Sequence, residues 1–165
     1  KLDIEYLNIG LLDYDDYISL HDKLADEGAD LLVETISLMV EKKVKANPQN
    51  HSESTYAPMI YKSDGKINWN KTSLDIYNQV RGMTPWPGTY TKYNDEVLKI
   101  HHVELAPKFA DGEAGKIVKV SAYGVYVNTA DSSIIIKTLQ FPNKKRMKVK
   151  DYLAGNNIEK GVILK

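Results

Sequence analysis

The densest chemical signal in the chain is Lys144-Lys145-Arg146-Met147-Lys148-Val149-Lys150, five cations in seven residues. Cations at that density meet phosphates and release condensed counterions, so the chemistry they point to is the holding of a polyanion. A solvated loop that contacts nothing is the plainer reading of the same run. Arg81, Lys66, Lys71, Lys92 and Lys99 are further cations that could extend such a patch.

Other chemistry-bearing types are sparser. His101-His102 is an adjacent pair, but neighbours on a strand point to opposite faces, so the two cannot grip one ion without distortion. With no Cys in the chain and no third ligand close by, no metal site is expected. Trp86 stands between Pro85 and Pro87 and could stack on an unpaired base. A Trp in a rigid Pro-flanked turn more often plugs a core or fixes a junction, and that structural role is the expectation for Trp86 and for Trp69. Tyr90, Tyr93, Tyr123 and Tyr126 alternate along or flank the extended segments, as strand residues do.

The elements that must position these groups fall into two unlike halves. Residues 1–60 hold 5 Lys/Arg against 12 Asp/Glu, a net of −7, whereas residues 61–165 hold 17 against 10, a net of +7. Such asymmetry suggests two units, the basic one facing an anion such as nucleic acid; chance clustering of solvated charge is the alternative. From Tyr17 to about Lys43, Leu20, Leu24, Leu31, Ile36 and Met39 recur at helical spacing, leaving Asp22, Lys23, Asp26, Glu27, Asp30 and Glu34 outside. Asp15, Asp16 and Ser19 supply acceptors for its first turn, and its apolar face is expected to pack on a sheet lying upstream. Residues 46–61 are rich in Asn, Pro and Ser without periodicity and read as a linker.

A turn at Asp64-Gly65 is followed by Ile67-Asn68-Trp69 and by a short helix from Ser73 to Arg81, capped by Thr72 or Ser73 and ended by Gly82. Two prolines and a glycine keep Thr84–Gly88 out of regular structure. From Thr89 the period falls to two, giving candidate strands at Thr89–Tyr93, Val97–Leu105, Lys116–Ala122, Val125–Thr129 and Ser133–Phe141. The basic loop follows, then a short helix at Lys150–Ala154 and an extended piece at Val162–Leu164. The fold class is α+β. A five-stranded closed barrel of the OB type is the favoured architecture, and a five-stranded sheet covered by two helices competes with it.

Composition sets wider bounds. Hydrophobic content of 42% and charged content of 27% are globular values. No run of 18 apolar residues and no signal-peptide pattern is present. A cytoplasmic setting is the expectation. Lys1 is not a start methionine, and the opening KLDIEYLNIGLLDYDDY reads as the middle of a longer chain.

Several stretches are similar to methionyl-tRNA formyltransferases: KLADEGADLL on the first helix, TYAPMIYKSDGKINW across the linker, and VRGMTPWPGTYT before the strands. LKI, GVYVNTADSSIIIKTLQFPNKKRMKVKDYLAG and the closing GVILK continue the resemblance in the same order over nearly the whole chain. PWPG and LQ-x₃-KKRM carry most of its specificity together.

The resemblance implies that residues 1–45 are the end of a Rossmann-like formyltransferase domain and 62–165 an OB-like tRNA-binding domain. It implies Lys144, Lys145, Arg146, Lys148, Lys150 and Arg81 as tRNA contacts. The partners it implies are methionyl-initiator tRNA and the remaining catalytic domain, in an enzyme expected to be a monomer. The formyl donor it implies is 10-formyltetrahydrofolate, which these residues are not expected to bind. Formyl transfer needs a neutral amine and donors aimed at a tetrahedral oxyanion. The family's catalytic Asn, His and Asp match no position here, and none of His21, His51, His101 and His102 lies in the family's Ser-Leu-Leu-Pro motif, so no catalytic residue is carried over. Two alternatives stay open: the barrel of a formyltransferase acting on an amino-sugar nucleotide or on folate, and a stand-alone OB-type binding module.

Overall fold

The structure is a computed structural model, and it describes residues 9–44, 48 and 50–165. Residues 1–8 of the expected formyltransferase remnant, and 45–47 and 49 around the expected linker, lie outside the described residues. The chain divides into two compact units, Lys1–Met59 and Ile60–Lys165.

The first unit is organised by one helix, α1 (Tyr17–Val40). Its start is the one the acidic and hydroxyl residues dictate: Asp16 Oδ1 accepts from the Ser19 amide at 2.9 Å, and Ser19 Oγ accepts from the Asp16 amide at 3.1 Å. That reciprocal pair satisfies two amides no helical carbonyl can reach. Beside it, Asp15 accepts from Lys23 Nζ at 2.7 Å, from the Leu12 amide and from Ser19 Oγ. The Lys23 hydrogen bond leads the causes that pull its carboxyl down to about 2. None of α1's side chains is buried, and Leu24, Leu32, Ile36 and Met39 of its apolar stripe are exposed. A 3-10 turn, His51–Glu53, follows.

The second unit begins with a 3-10 turn (Lys62–Gly65) and α2 (Ser73–Gly82). Thr72 caps α2 by accepting the Asp75 amide at 3.1 Å, while the Ser73 amide is taken by Asp131 Oδ1 from across the fold at 2.8 Å. Gly82 is the last helical residue rather than a stop beyond it. Five strands follow: β1 (Thr89–Tyr93), β2 (Glu96–Ala106), β3 (Ile117–Ser121), β4 (Gly124–Asn128) and β5 (Ser133–Gln140). They form one antiparallel path, β1-β2-β5-β4-β3, with a short β6 (Met147–Lys148) added on β5, and α3 (Val149–Leu153) follows directly.

β1 and the first half of β2 bury alternate residues as a one-sided sheet should, whereas β4 is buried at all but Tyr126. Leu98, Ile100 and Val103 of β2, Val125 and Val127 of β4 and Ile134, Ile136 and Leu139 of β5 meet Ile76 and Val80 of α2 in one core. The central β5 is covered on both faces over Ser133–Ile136. Trp69 closes the core from the chain entry, 4% exposed, as expected for it.

Two expectations are corrected here. The sheet has six strands, because tertiary pairing makes a strand of two residues inside the basic stretch. Its path is also open, with β1 and β3 not partners. The free edge of β1 is already occupied: the Ile67 amide donates to Tyr90 O at 2.8 Å, and Lys92 and Lys165 exchange backbone bonds of 2.7 and 3.1 Å. The C-terminal residues also reach β3, through Ile117 N to Val162 O and Gly161 N to Ile117 O, both 2.8 Å.

Candidate nucleic-acid interface

The basic run lies on the connection from β5 through β6 into α3. Its geometry is set by apolar anchors at both ends. Phe141 is buried, stacked on Tyr152 of α3 with ring centres 4.7 Å apart and edge-on to Tyr93 at 5.7 Å. The Lys144 amide then closes a tight turn onto Phe141 O at 3.1 Å, with Asn143 in the left-handed region at φ 58°. Register pairs Leu139 with Met147 and Thr138 with Lys148, and Val149 is buried at the start of α3. Inward Phe141 and Val149 therefore leave the intervening cations outward.

Lys144, Lys145, Arg146, Lys148 and Lys150 are all exposed. Among the described residues, none of the five takes part in an ion pair; the lysines that do are Lys23, Lys43, Lys108 and Lys137. Five like charges held on one short anchored segment make a field that attracts a polyanion.

The patch extends onto the sheet. Lys99 of β2 pairs with Tyr90 on one side and Gln140 on the other, and it is exposed. Between the Ile100–Leu139 and Val103–Ile136 pairs the β2–β5 register is locally irregular, with His102 opposite Thr138, and it returns to the same register beyond. His101 lies two residues after Lys99, so alternation sets both on one face of the strand. His101 Nε2 bonds Gln140 Oε1 at 3.2 Å, and Gln140 Nε2 donates to Lys144 O at 2.9 Å. Burial pushes the imidazole's pKa below its ordinary value, the Gln140 bond works against that, and the nearby charges of Arg146 and Lys99 depress it further. His102 is exposed. Among the described residues, no three His, Cys, Asp or Glu come together to hold a metal ion.

Arg81 lies on another element, in the last turn of α2. Its Nε donates to Asn78 Oδ1 at 3.0 Å and its guanidinium lies 5.5 Å from the Tyr77 ring centre. Lys66, Lys71 and Lys92 are exposed, and Lys92 faces Val97 on the β1–β2 ladder.

Elsewhere on the sheet the cations are engaged with the chain's own groups. Lys119 lies 4.9 Å from the ring centres of both Phe109 and Tyr126. Lys137 lies 3.2 Å over Tyr123 and 3.5 Å from Glu104, which also accepts the Tyr123 hydroxyl at 2.9 Å. That hydrogen bond heads the causes raising Tyr123 above its ordinary pKa. The densest set of cations outside an ion pair, among the described residues, is thus the one on the β5–β6 connection.

Trp86 is 58% exposed, so of its two expected structural roles the core-plugging one is corrected. Sequence reasoning also passes over Gln140 and treats His101 only as a ligand candidate. A glutamine beside a cationic run carries no local signal of its bridging role. A cleft of about 520 Å³, lined in part by Trp69, Asn70, Glu113 and Lys165, is built from residues other than the cationic run.

By class this is an antiparallel α+β module whose β5–β6 connection carries five exposed cations. Residues 59–157 match the family described as formyl transferase, C-terminal domain, and the chain belongs to that family. The chain is 49% identical over 146 residues to methionyl-tRNA formyltransferase of Clostridium acetobutylicum, covering 88% of this chain and 47% of that one. The same enzyme of Clostridium tetani is 45% identical over 145 residues, with coverage of 88% and 47%. That of Desulforamulus reducens is 44% identical over 147 residues, with coverage of 88% and 46%. The chain spans about half the length of these curated relatives.

Among solved structures, HypX from Aquifex aeolicus in complex with tetrahydrofolic acid superposes with a TM-score of 0.63 at 13% identity, over 88% of this chain and 26% of that one. A variant of the same protein gives 0.61 at 14%, over 94% and 30%. At such identities the likeness concerns the fold.

Proposed function

We propose that this chain is the RNA-holding part of a methionyl-tRNA formyltransferase, an enzyme of translation initiation working in the cytoplasm as a monomer. In the whole enzyme, a formyl group passes from 10-formyltetrahydrofolate to the amino group of methionyl-initiator tRNA. The observation that carries this reading is the set of five exposed cations on the β5–β6 connection, outside any ion pair among the described residues, taken with relatives of that name.

The part played by residues 60–165 is positioning. Holding the tRNA's phosphates fixes where the aminoacyl end lies, which makes the transfer effectively unimolecular without supplying any of its chemistry. No residue of the chain is assigned to the folate donor or to catalysis. The C-terminal residues, bonded to Lys92 on one side and to Ile117 on the other, serve as the stave that makes the sheet OB-like, and they hold the β1–β2 surface in place beside the cationic connection.

The test is a filter-binding titration with initiator tRNA at several salt concentrations. Replacing Lys144, Lys145 and Arg146 together by Ala is expected to weaken binding. It should also flatten the salt dependence by about one power of salt for each phosphate no longer neutralised. Binding that is indifferent to salt, or to these three changes, would count against the reading.

A further inference from the structure

We propose that His101 is a phosphate contact that takes up a proton as RNA binds, completing with Lys99 and Arg146 a cradle for one backbone phosphate. The inference rests on the tRNA-holding role of the β5–β6 connection.

Geometry carries it. Strand alternation sets His101 on the same face as Lys99 and as Gln140, the cross-strand partner of Lys99, at the start of a locally irregular stretch of the β2–β5 ladder. Lys99 lies two residues before it on the same strand. Leu139 pairs with Met147, so continuing the β5–β6 ladder by one step sets Gln140 beside Arg146. The hydrogen-bond chain then fixes the ring. Gln140 Nε2 donates to Lys144 O, so its Oε1 is the acceptor facing His101 and Nε2 of the imidazole must carry the proton. The Gln140 bond is the one hydrogen bond seen for this ring among the described residues, and it leaves Nδ1 as the nitrogen that gains the second proton.

The electrostatics then favour a switch. The charged groups whose fields reach His101 are Arg146 from the β5–β6 connection and Lys99 on its own strand, both cationic; Gln140 of β5 is neutral. Free of ligand, burial and these two charges favour the neutral ring, against the pull of the Gln140 bond. A phosphate seated between Lys99 and Arg146 reverses the sign of the local field. The ring then draws a proton from solvent onto Nδ1 and donates it to the phosphate oxygen, a charge-assisted bond. An opposite charge within ~4–6 Å typically raises such a pKa by ~1–3 units.

Linkage gives the sign. The bound state holds the extra proton more tightly, so affinity rises as pH falls through the bound-state pKa. It levels off below the free-state pKa, which lies beneath the ordinary 6.5. One unit of difference corresponds to about tenfold in affinity across that window.

The experiment uses the 165-residue chain with a tRNA transcript, measuring affinity by fluorescence anisotropy from pH 8 downward at fixed salt. It is run for the unaltered protein, for His101→Gln and for the Lys144/Lys145/Arg146 triple alanine variant. Nitrogen-15 NMR follows the His101 ring in free and bound protein. Loss of the pH slope in His101→Gln, with a ring that gains a proton on binding, is the expected result. A pH slope equal in both proteins, or a ring that stays neutral when tRNA is bound, overturns the inference even if the triple variant binds weakly. If the triple variant binds as well as the unaltered chain, the tRNA-holding reading fails first and takes this inference with it.

Discussion

Trp69 donates its indole N–H to Thr91 Oγ1 at 2.9 Å, and Thr91 donates its own hydroxyl to Lys165 O at 3.1 Å. Three segments far apart in sequence meet there: the entry to the second unit, the middle of β1 and the last residue of the chain. Thr91 is wholly buried. A threonine at this strand position serves shape and hydrogen bonding together. Thr91→Val keeps the shape and removes both bonds, leaving the indole N–H buried without a partner. The expected loss is about 1–3 kcal/mol, read as a lower denaturant midpoint with an unchanged slope. Thr91→Ser, which retains the hydroxyl, is expected to recover most of it, and a Val variant as stable as the original chain would refute the latch.

Gly65 meets the carbonyl of Gly88 so closely that a Cβ on Gly65 would overlap Gly88 O. Gly88, at φ 76°, closes the Pro-rich turn by donating its amide to Met83 O at 2.9 Å, so its carbonyl has little freedom to retreat. Gly65→Ala is expected to cost about 1–3 kcal/mol, as forced overpacking does. Gly82 offers the contrast, a helical glycine with nothing within 4 Å of its would-be Cβ. Gly82→Ala is expected to hold or raise the midpoint by up to about 1 kcal/mol. Thermal melts of the two variants decide it: equal shifts would mean that backbone contact at Gly65 is not the cause.

Asp131 ties the β4–β5 turn to the start of α2, accepting the Ser73 amide at 2.8 Å and the Thr129 hydroxyl at 3.0 Å. The Ser73 bond is the foremost cause holding its carboxyl below the usual value of 3.8. A depressed folded-state pKa stabilises the fold above the unfolded-state value and ceases to do so as pH falls through the folded one. Asp131→Asn should therefore lower the melting midpoint at pH 7. The gap from the parent chain should close as pH drops below about 3.8. A gap of constant size down to pH 2 would show that the carboxylate's charge is not what matters.

That cap marks the boundary of what can be read from residues alone. Both longer helices and five of the six strands follow local periodicity: Leu24, Ile36 and Met39 repeat at helical spacing, and Leu98-Lys99-Ile100 alternates. Thr72 as a cap is equally local. Asp131 capping α2 is not, because its partner lies 58 positions away. Nor is β6, whose two residues are made a strand by pairing with Thr138 and Leu139 rather than by their own propensity. The irregular pairing at His101-His102 depends on the register of β2 against β5, which no single strand encodes. The cationic connection is legible because charge density is a composition signal, whereas the Gln140 bridge beside it is not. Trp86 escapes a sequence reading because flanking prolines specify a rigid turn without saying which way its side chain faces.

That orientation leads to the last expectation. Trp86 is 58% exposed on a turn whose neighbours Pro85 and Pro87 restrict the backbone, so stacking on it costs little further backbone entropy. Stacking a base on such a ring is worth about 1–3 kcal/mol, roughly fivefold to more than a hundredfold in affinity. Trp86→Ala is expected to leave the melting midpoint nearly unchanged, since little buried area is removed, and to weaken tRNA binding by a factor in that range. Trp86→Phe is expected to keep part of the affinity, because a smaller aromatic face still stacks. Salt separates this contact from those of Lys144, Lys145 and Arg146: stacking releases no counterions, so the Ala variant should bind more weakly while keeping the original salt slope. A lower melting midpoint with unaltered affinity would instead assign Trp86 to holding the turn together.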